Sequence, residues 1–323
     1  MNYEAPWWLP GGNLQTIVAA KLARNFGGLP PIFRRERWNT PDQDFIDVDW
    51  LDSPARPGAP MWVMFHGLEG SSSSHYALAC AELARRQGFA FVVAHFRGCS
   101  GELNRAPRAY HSGDYQEIGW ILERMRQAHV GPIFAIGISL GGNALLRWAQ
   151  EAGHTAGALV SAVAAVCSPI DLAASGRAIG RGFNRQVYTR MFLRSMVPKA
   201  LAKLRQFPGL FDEQALRQAR DLYDFDNVFT APLHGFRDTE DYWQRASAKP
   251  HLARIRLPAL VLNARNDPFI PAACLPEPAS VGQYVTLWQP AQGGHVGFPT
   301  GAPPGKVTAL PQALEAWFSQ HSA

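Results

Sequence analysis

The stretch Gly137-Ile138-Ser139-Leu140-Gly141-Gly142-Asn143 follows the apolar run Ile133 to Ile138, and a helical pattern begins directly after it. A serine flanked by glycines therefore lies between a buried strand and a helix. Small residues let a strand and a helix approach each other closely around a sharp turn. The pattern G-x-S-x-G in this context predicts a nucleophile elbow, with Ser139 held at the N-terminus of the helix. The alternative is a glycine-rich turn in which the serine only caps the helix.

Short apolar runs alternate with helical patterns around this elbow. The runs are nearly continuous in apolar character, as in strands buried on both faces of a parallel sheet: Met61 to Phe65, Phe89 to Ala94, Ile133 to Ile138, Leu159 to Val166 and Ala259 to Asn263. Amphipathic helices are predicted at Tyr76 to Gln87, Asp114 to Ala128, Ala144 to Ala152 and Leu310 to Gln320. Ile32 to Trp38 and Asp44 to Leu51 alternate in polarity and predict antiparallel edge strands. The sequence predicts an α/β-hydrolase fold, with a mostly parallel central sheet flanked by helices.

The partners of Ser139 are predicted from chain order. In this fold the acid and then the histidine follow the nucleophile. His295 lies in a glycine-rich loop after the apolar run Tyr284 to Trp288, and Asp267 is the only carboxylate directly after the run Ala259 to Asn263. We expect His295 to act as general base and Asp267 to orient the imidazole and stabilise the imidazolium. A solvated loop histidine and a turn aspartate before proline are the structural alternatives.

Acyl transfer also needs hydrogen-bond donors for the oxyanion. One predicted donor is the backbone N–H of Leu140, the residue after the nucleophile. The run Met61 to Phe65 ends in His66-Gly67-Leu68-Glu69-Gly70, and the N–H of Leu68 is the second predicted donor. We interpret His66 as a structural residue that shapes this loop.

Motifs spread over nearly the whole chain carry a family resemblance. They are Asn13-Leu14-Gln15-Thr16, His66-Gly67-Leu68-Glu69-Gly70, Phe96-Arg97-Gly98-Cys99-Ser100-Gly101, the elbow, His234-Gly235-Phe236, Asn266-Asp267-Pro268 and Gly293-Gly294-His295-Val296-Gly297-Phe298. Together they resemble the YheT-like branch of the α/β hydrolases. The resemblance implies a carboxylic ester hydrolase with catalytic roles for Ser139, Asp267 and His295. Family members usually have Pro-His before Leu-Gln-Thr, and we expect Gly12-Asn13 at that place to affect only N-terminal packing.

Residues 172–246 interrupt the alternation of strands and helices. They contain helical patterns but no obvious buried strand. We expect a single domain, in which residues 1–59 form an N-terminal arm and edge strands, and residues 60–171 and 247–323 form the core. Residues 172–246 are then a helical lid insertion over the carboxyl ends of the strands. The alternative is a set of extra helices packed at the side of the sheet.

The same segment is strongly basic. Between residues 171 and 210 the only acid is Asp171, and the basic residues are Arg177, Arg181, Arg185, Arg190, Arg194, Lys199, Lys203 and Arg205. Apolar residues are interleaved with them. The usual explanation of such a pattern is an amphipathic helix with a solvated basic face. The alternative is a weak peripheral contact with an anionic membrane.

Composition and charge exclude several classes of protein. A net charge of +5 over 323 residues is modest, and no helix-turn-helix, zinc or RNA-binding motif indicates a nucleic-acid partner. The four cysteines are widely spaced and include no C-x-x-C pair, so no metal, cofactor or disulfide framework is implied. The N-terminus has no signal-peptide pattern, so we expect a cytoplasmic protein, and we favour a monomer.

Three functional interpretations remain open at this stage. The motifs favour a serine esterase or lipase that acts on a small-molecule or lipid ester through an acyl-enzyme. The same triad could instead act on a thioester, an amide or a carbon–carbon bond. A third possibility is a hydrolase scaffold that has lost catalysis and is used for binding.

Overall fold

The computed structural model describes residues 3–23 and 29–322. Eight strands form one sheet in the order β1-β2-β4-β3-β5-β6-β7-β8. Their bounds are β1 (Phe33–Asn39), β2 (Phe45–Leu51), β3 (Met61–Phe65), β4 (Ala90–Ala94), β5 (Ile133–Ile138), β6 (Ala162–Val166), β7 (Ala259–Leu262) and β8 (Val285–Trp288). The predicted strands are confirmed, but β6 begins later than expected, because Leu159 ends a short helix.

The sheet is parallel from β4 to β8, whereas β1 and β2 run antiparallel at one edge. Every residue of β3, β5 and β6 is buried. This burial on both faces explains their continuous apolar sequence. The edge strand β1 is mostly exposed and carries the alternating, charged pattern that predicted it.

Thirteen α-helical elements lie in the part of the chain that the structure describes. They are α1 (Gly11–Lys21), α2 (His75–Gln87), α3 (Tyr115–Ala128), α4 (Leu140–Ala152), α5 (Ala156–Leu159), α6 (Leu172–Ile179), α7 (Gly182–Asn184), α8 (Arg190–Gln206), α9 (Glu213–Gln218), α10 (Leu222–Phe225), α11 (Ala231–Leu233), α12 (Thr239–Ala246) and α13 (Ala309–Phe318). Helix α4 begins directly after Ser139, so it extends further toward the elbow than the predicted start at Ala144.

Helices cover both faces of the sheet. On one face, Ile118 and Leu122 of α3 and Leu145 of α4 pack in the same apolar core as the strands. On the other face, α2 and α13 pack against the strands, with Phe318 stacked on Phe134 at a centroid distance of 4.6 Å. This three-layer arrangement is the predicted α/β-hydrolase architecture.

Residues 172–246 are helical, as predicted. Helices α6 to α12 occupy this segment, and Arg185–Thr189 and Asp226–Thr230 form π-helical turns within it. Among the described residues, no helix combines the length and the apolar character needed to cross a bilayer.

Candidate active site

Ser139 lies at the junction of β5 and α4 in a backbone conformation that non-glycine residues rarely adopt. Its φ is 52° and its ψ is −119°. Such a conformation costs on the order of 1–3 kcal/mol and persists only where the surrounding structure enforces it. A Cβ atom on Gly137 would lie 2.4 Å from Gly142 Cα, and one on Gly141 would lie 2.5 Å from His66 O. The glycines are therefore required by the close approach of strand and helix.

The structure brings the three predicted side chains together at the carboxyl edge of the sheet. His295 Nε2 lies 3.0 Å from Ser139 Oγ, and His295 Nδ1 lies 2.8 Å from Asp267 Oδ2. When Nδ1–H donates to the carboxylate, Nε2 is left to accept the serine proton. The side chain of Asp267 is fully buried and that of His295 is 10% exposed. This order of hydroxyl, imidazole and carboxylate is the geometry required for an activated serine.

Local contacts hold the acid and the imidazole in place. The backbone N–H of Phe269 donates to Asp267 Oδ1 at 2.8 Å. The ring of Phe269 also packs against the imidazole of His295, with 4.2 Å between the centroids. The carboxylate therefore keeps its second oxygen for His295.

Gln15, a buried residue of α1, joins the loop of the acid to the loop of the histidine. Its Oε1 accepts from Asn266 Nδ2 and from the backbone N–H of Gly293, both at 2.9 Å. Its Nε2 donates to Leu9 O at 2.9 Å. Asn266 in turn accepts the backbone N–H of Gly294 at 3.0 Å. One side chain thus fixes the distance between the two loops.

Thr16 holds the histidine directly. Its Oγ1 accepts from the backbone N–H of His295 at 2.8 Å and donates to Gly12 O at 2.7 Å. A Cβ atom on Gly12 would lie 1.8 Å from Asn266 O, so α1 packs tightly on the acid loop. Gly12 therefore serves packing, as expected, and this packing is against the loop that carries the acid. The Leu-Gln-Thr motif was visible in the sequence. The residue pattern alone did not reveal that Gln15 and Thr16 hold the acid and histidine loops.

The loop after β3 passes beside the nucleophile. A Cβ atom on Gly67 would lie 3.2 Å from Ser139 Cβ, and Leu68 and Leu140 line the same cavity as Ser139. Within residues 3–23 and 29–322, the backbone N–H groups of Leu68 and Leu140 donate no hydrogen bond. Both N–H groups therefore lie near the Ser139 hydroxyl without a hydrogen-bond acceptor in the described part of the chain.

Neighbouring side chains fix this loop. His66 Nε2 accepts from the backbone N–H of Phe96 at 3.0 Å, and burial lowers the pKa of His66 to about 3, so its ring is neutral. Glu69 accepts from Tyr110 Oη at 2.9 Å and pairs with Lys199 of α8 at 2.7 Å. The loop is thus tied both to the core and to the 172–246 segment.

Cys99 also lies near this loop, but its thiol is not activated. Burial raises the pKa of Cys99 to about 12, so the thiol stays protonated at neutral pH. A reactive cysteine requires a lowered pKa and access to solvent. Ser139 is therefore the better candidate for a nucleophile.

Two cavities meet at Ser139 and His295. The first, of about 110 Å³, lies between the core and the 172–246 segment, and its apolar lining includes Leu172, Ile179, Met196, Trp243 and Phe269. The second is a wider groove of about 360 Å³ between α1 and the 172–246 segment, and its lining includes Ile17, Lys21, Tyr76, Val187 and Met191. The reacting hydroxyl therefore has space on two sides.

A serine in a strained strand-to-helix turn, with an aspartate and a histidine in the loops after β7 and β8, defines the α/β-hydrolase class. Residues 61–302 match a family model described as alpha/beta hydrolase fold. The chain is 39% identical over 282 residues to the Escherichia coli protein named "Putative esterase YheT", covering 84% of this chain and 82% of that protein. It is 28% identical over 296 residues to "Phospholipase ABHD3" of Mus musculus, covering 88% and 71% of the two chains.

A solved structure shows the same fold at low sequence identity. It is a thermophilic esterase from Thermogutta terrifontis, with a TM-score of 0.53, 16% identity and coverage of 90% of this chain and 100% of that chain. The chain belongs to the α/β-hydrolase family and, within it, to the YheT-like group, as the motifs predicted.

Proposed function

We propose that the chain hydrolyses carboxylic esters by a two-step acyl transfer in which Ser139 is the nucleophile. The observation that carries this proposal is the continuous series of contacts from Ser139 Oγ through His295 to Asp267, at 3.0 Å and 2.8 Å. Relatives named as an esterase and a phospholipase support ester hydrolysis as the type of reaction.

In the first step, Ser139 Oγ attacks the carbonyl carbon of the ester while His295 Nε2 takes the hydroxyl proton. The N–H groups of Leu68 and Leu140 then hold the oxyanion, and each such donor is worth about 3 kcal/mol in the transition state. Asp267 stabilises the imidazolium without taking its proton. The imidazolium gives the proton to the leaving alcohol, the C–O bond breaks, and an acyl-enzyme remains.

In the second step, water replaces the alcohol. His295 takes a proton from the water molecule while the water oxygen attacks the acyl carbonyl carbon. The same two N–H groups hold the second oxyanion. Collapse of this intermediate releases the carboxylic acid and returns the proton to Ser139.

The two cavities give each half of the substrate a place. The smaller apolar cavity suits the acyl group, and the wider groove suits the alcohol. Because Leu172, Met196 and Trp243 line the smaller cavity, residues 172–246 are proposed to act as its lid. The proposed substrates are small-molecule or lipid esters.

A substrate panel separates this proposal from the other two interpretations. Purified chain is assayed with p-nitrophenyl esters of graded acyl length, acyl thioesters and acylglycerols, with Ser139→Ala as the control. We expect the highest kcat/KM for oxygen esters and no turnover by the variant. Preference for thioesters would change the leaving group but keep the triad. Equal turnover by Ser139→Ala would refute the assignment, and absence of turnover on every ester would favour a binding scaffold.

A further inference from the structure

An exposed apolar stripe lies on the 172–246 segment beside the wider groove. Phe183, Val187 and Met191 follow each other at intervals of four residues and are 54%, 36% and 46% exposed. On a helical path this spacing places them on one side. Large apolar side chains grouped on a surface, with polar residues around them, mark interaction sites.

Two arginines border this stripe, because Arg190 lies three residues after Val187 and Arg194 lies three residues after Met191 on a helical path. Arg185, Arg190 and Arg194 line a second surface groove together with Arg220. Arg185, Arg190 and Arg194 form no ion pair with any residue that the structure describes. Residues 172–211 contain no aspartate or glutamate that could neutralise them. Their charge is therefore available to an anionic partner, whereas Lys199 on the same helix is already paired with Glu69.

The stripe also borders the entrance to the reacting hydroxyl. Val187 and Met191 line the same groove as Ser139 and His295, and Lys21 of α1 also lines it. Val187 and Met191 therefore belong both to the apolar stripe and to the catalytic groove, and Arg190 and Arg194 follow them by three residues along the same helical path.

We propose that this arginine-bordered face, formed by Phe183, Val187 and Met191 with Arg190 and Arg194, docks on the surface of an anionic lipid bilayer. The apolar side chains insert at the level of the upper acyl chains, and the guanidinium groups bind headgroup phosphates. Apolar insertion and attraction to anionic lipid each strengthen membrane binding, and this face provides both. Docking turns the mouth of the wider groove toward the lipid. The use of that groove by a lipid ester rests on the proposed function, but the docking itself does not.

The test is sedimentation of the full chain with vesicles of phosphatidylcholine alone or mixed with phosphatidylglycerol. We expect binding to the anionic vesicles that weakens as salt is raised, because salt screens exposed charges. A basic residue near an anionic surface contributes about fivefold in affinity, so Arg190→Gln with Arg194→Gln should weaken binding about 30-fold. Phe183→Ser should weaken it about tenfold through lost apolar insertion.

A matched pair controls for net charge. Arg254→Gln with Arg256→Gln removes the same charge just before β7, at the amino ends of the parallel strands and opposite the edge that carries Ser139. We expect this pair to bind vesicles like the original chain. Absence of binding to anionic vesicles, equal binding to neutral ones, or equal loss in the control pair would overturn the proposal.

Two further measurements keep the docking separate from catalysis. Ser139→Ala should bind vesicles as strongly as the original chain, so a failed esterase assignment leaves the docking result intact. Hydrolysis of a short, soluble p-nitrophenyl ester should be unchanged in Arg190→Gln with Arg194→Gln. If that activity falls as far as vesicle binding does, the arginines serve the fold instead and the proposal is wrong.

Discussion

A serine, a histidine and an aspartate meet at two places in the part of the chain that the structure describes, and the two groups differ in order. At the carboxyl end of β5, Ser139 contacts His295, which contacts Asp267. In the second group, His95 Nε2 lies 2.8 Å from Asp49 Oδ2, but Ser72 Oγ donates to the same carboxylate at 2.6 Å. That hydroxyl contacts the acid instead of the imidazole, so the histidine is not placed to take its proton.

The two carboxylates also differ in charge environment. Asp49 receives two hydrogen bonds from Arg35, at 2.7 and 2.9 Å, whereas the ion pair of Asp267 is with His295 and no arginine among the described residues contacts it. Although burial alone raises it, the hydrogen bonds from Arg35, His95 and Ser72 hold the pKa of the Asp49 carboxyl well below its usual range. An acid already neutralised by an arginine has little charge left to stabilise an imidazolium. The same three residue types therefore give a structural cluster in one place and a candidate triad in the other.

The largest expected difference concerns the two serines. Ser139→Ala should lower kcat on the order of 10⁶-fold with the fold intact, because it removes the nucleophile. Ser72→Ala removes one hydrogen bond to Asp49 and should leave kcat within about twofold, with about 1 kcal/mol lost from the free energy of unfolding. The kcat of both variants is measured by ester hydrolysis, and their free energy of unfolding is measured by urea denaturation. A comparable loss of kcat in Ser72→Ala would erase the distinction between the groups.

The two aspartates should separate activity from stability. Asp267→Asn should lower kcat about 10⁴-fold, since the imidazole loses the partner that sets its tautomer. Asp49→Asn should leave kcat nearly unchanged but lower the free energy of unfolding by about 2 kcal/mol, because Arg35 and His95 lose their charged acceptor. The same two assays apply. If Asp49→Asn reduces kcat as strongly as Asp267→Asn, the cluster takes part in catalysis.

A smaller effect should distinguish two buried glutamines. Gln15→Met removes the link between the acid and histidine loops, and the resulting misplacement should lower kcat about 10- to 100-fold. Gln150 on α4 is the matched control. Its Nε2 donates to Ala248 O at 2.8 Å, and this hydrogen bond does not involve the triad. Gln150→Met should lose stability but keep kcat. Equal kcat in the two variants would show that Gln15 serves only the fold.

The smallest effect is the pH dependence of stability. The pKa of Asp49 is lower in the folded than in the unfolded chain. The ionised carboxylate therefore stabilises the fold at pH values above the unfolded-state pKa, which is near 4. This contribution to the free energy of unfolding is lost as the pH falls below that pKa. The stability advantage of the original chain over Asp49→Asn should therefore shrink between about pH 5 and pH 2. Urea unfolding of both chains at a series of fixed pH values measures this difference in the free energy of unfolding. A difference that stays constant over this range would contradict the ionised state of Asp49.

The sequence predicted the parts of the molecule that depend on local pattern. Strands β3 and β5 are buried on both faces, so their apolar runs marked their bounds. The start of β6 was missed because the apolar run continues backward through the short helix that ends at Leu159. Chain order selected His295 among ten histidines, and the structure places its Nε2 3.0 Å from Ser139 Oγ.

The supporting contacts could not be predicted in the same way. Gln15 contacts Gly293, which lies 278 residues further along the chain. Thr16 contacts His295, which lies 279 residues further along. A polar residue on a helix is usually exposed, and nothing in its neighbourhood shows that a distant loop packs on it. The second group around Asp49 was missed for the same reason, since it joins β2 to residues 23 and 46 positions away.

Labelling with a fluorophosphonate, which reacts only with an activated serine, tests the central claim most directly. The folded chain should carry a single adduct, and peptide mass spectrometry should place it on Ser139. The adduct should be absent from Ser139→Ala and unchanged in Ser72→Ala. A folded chain that stays unlabelled, or an adduct on any other serine, would contradict the account.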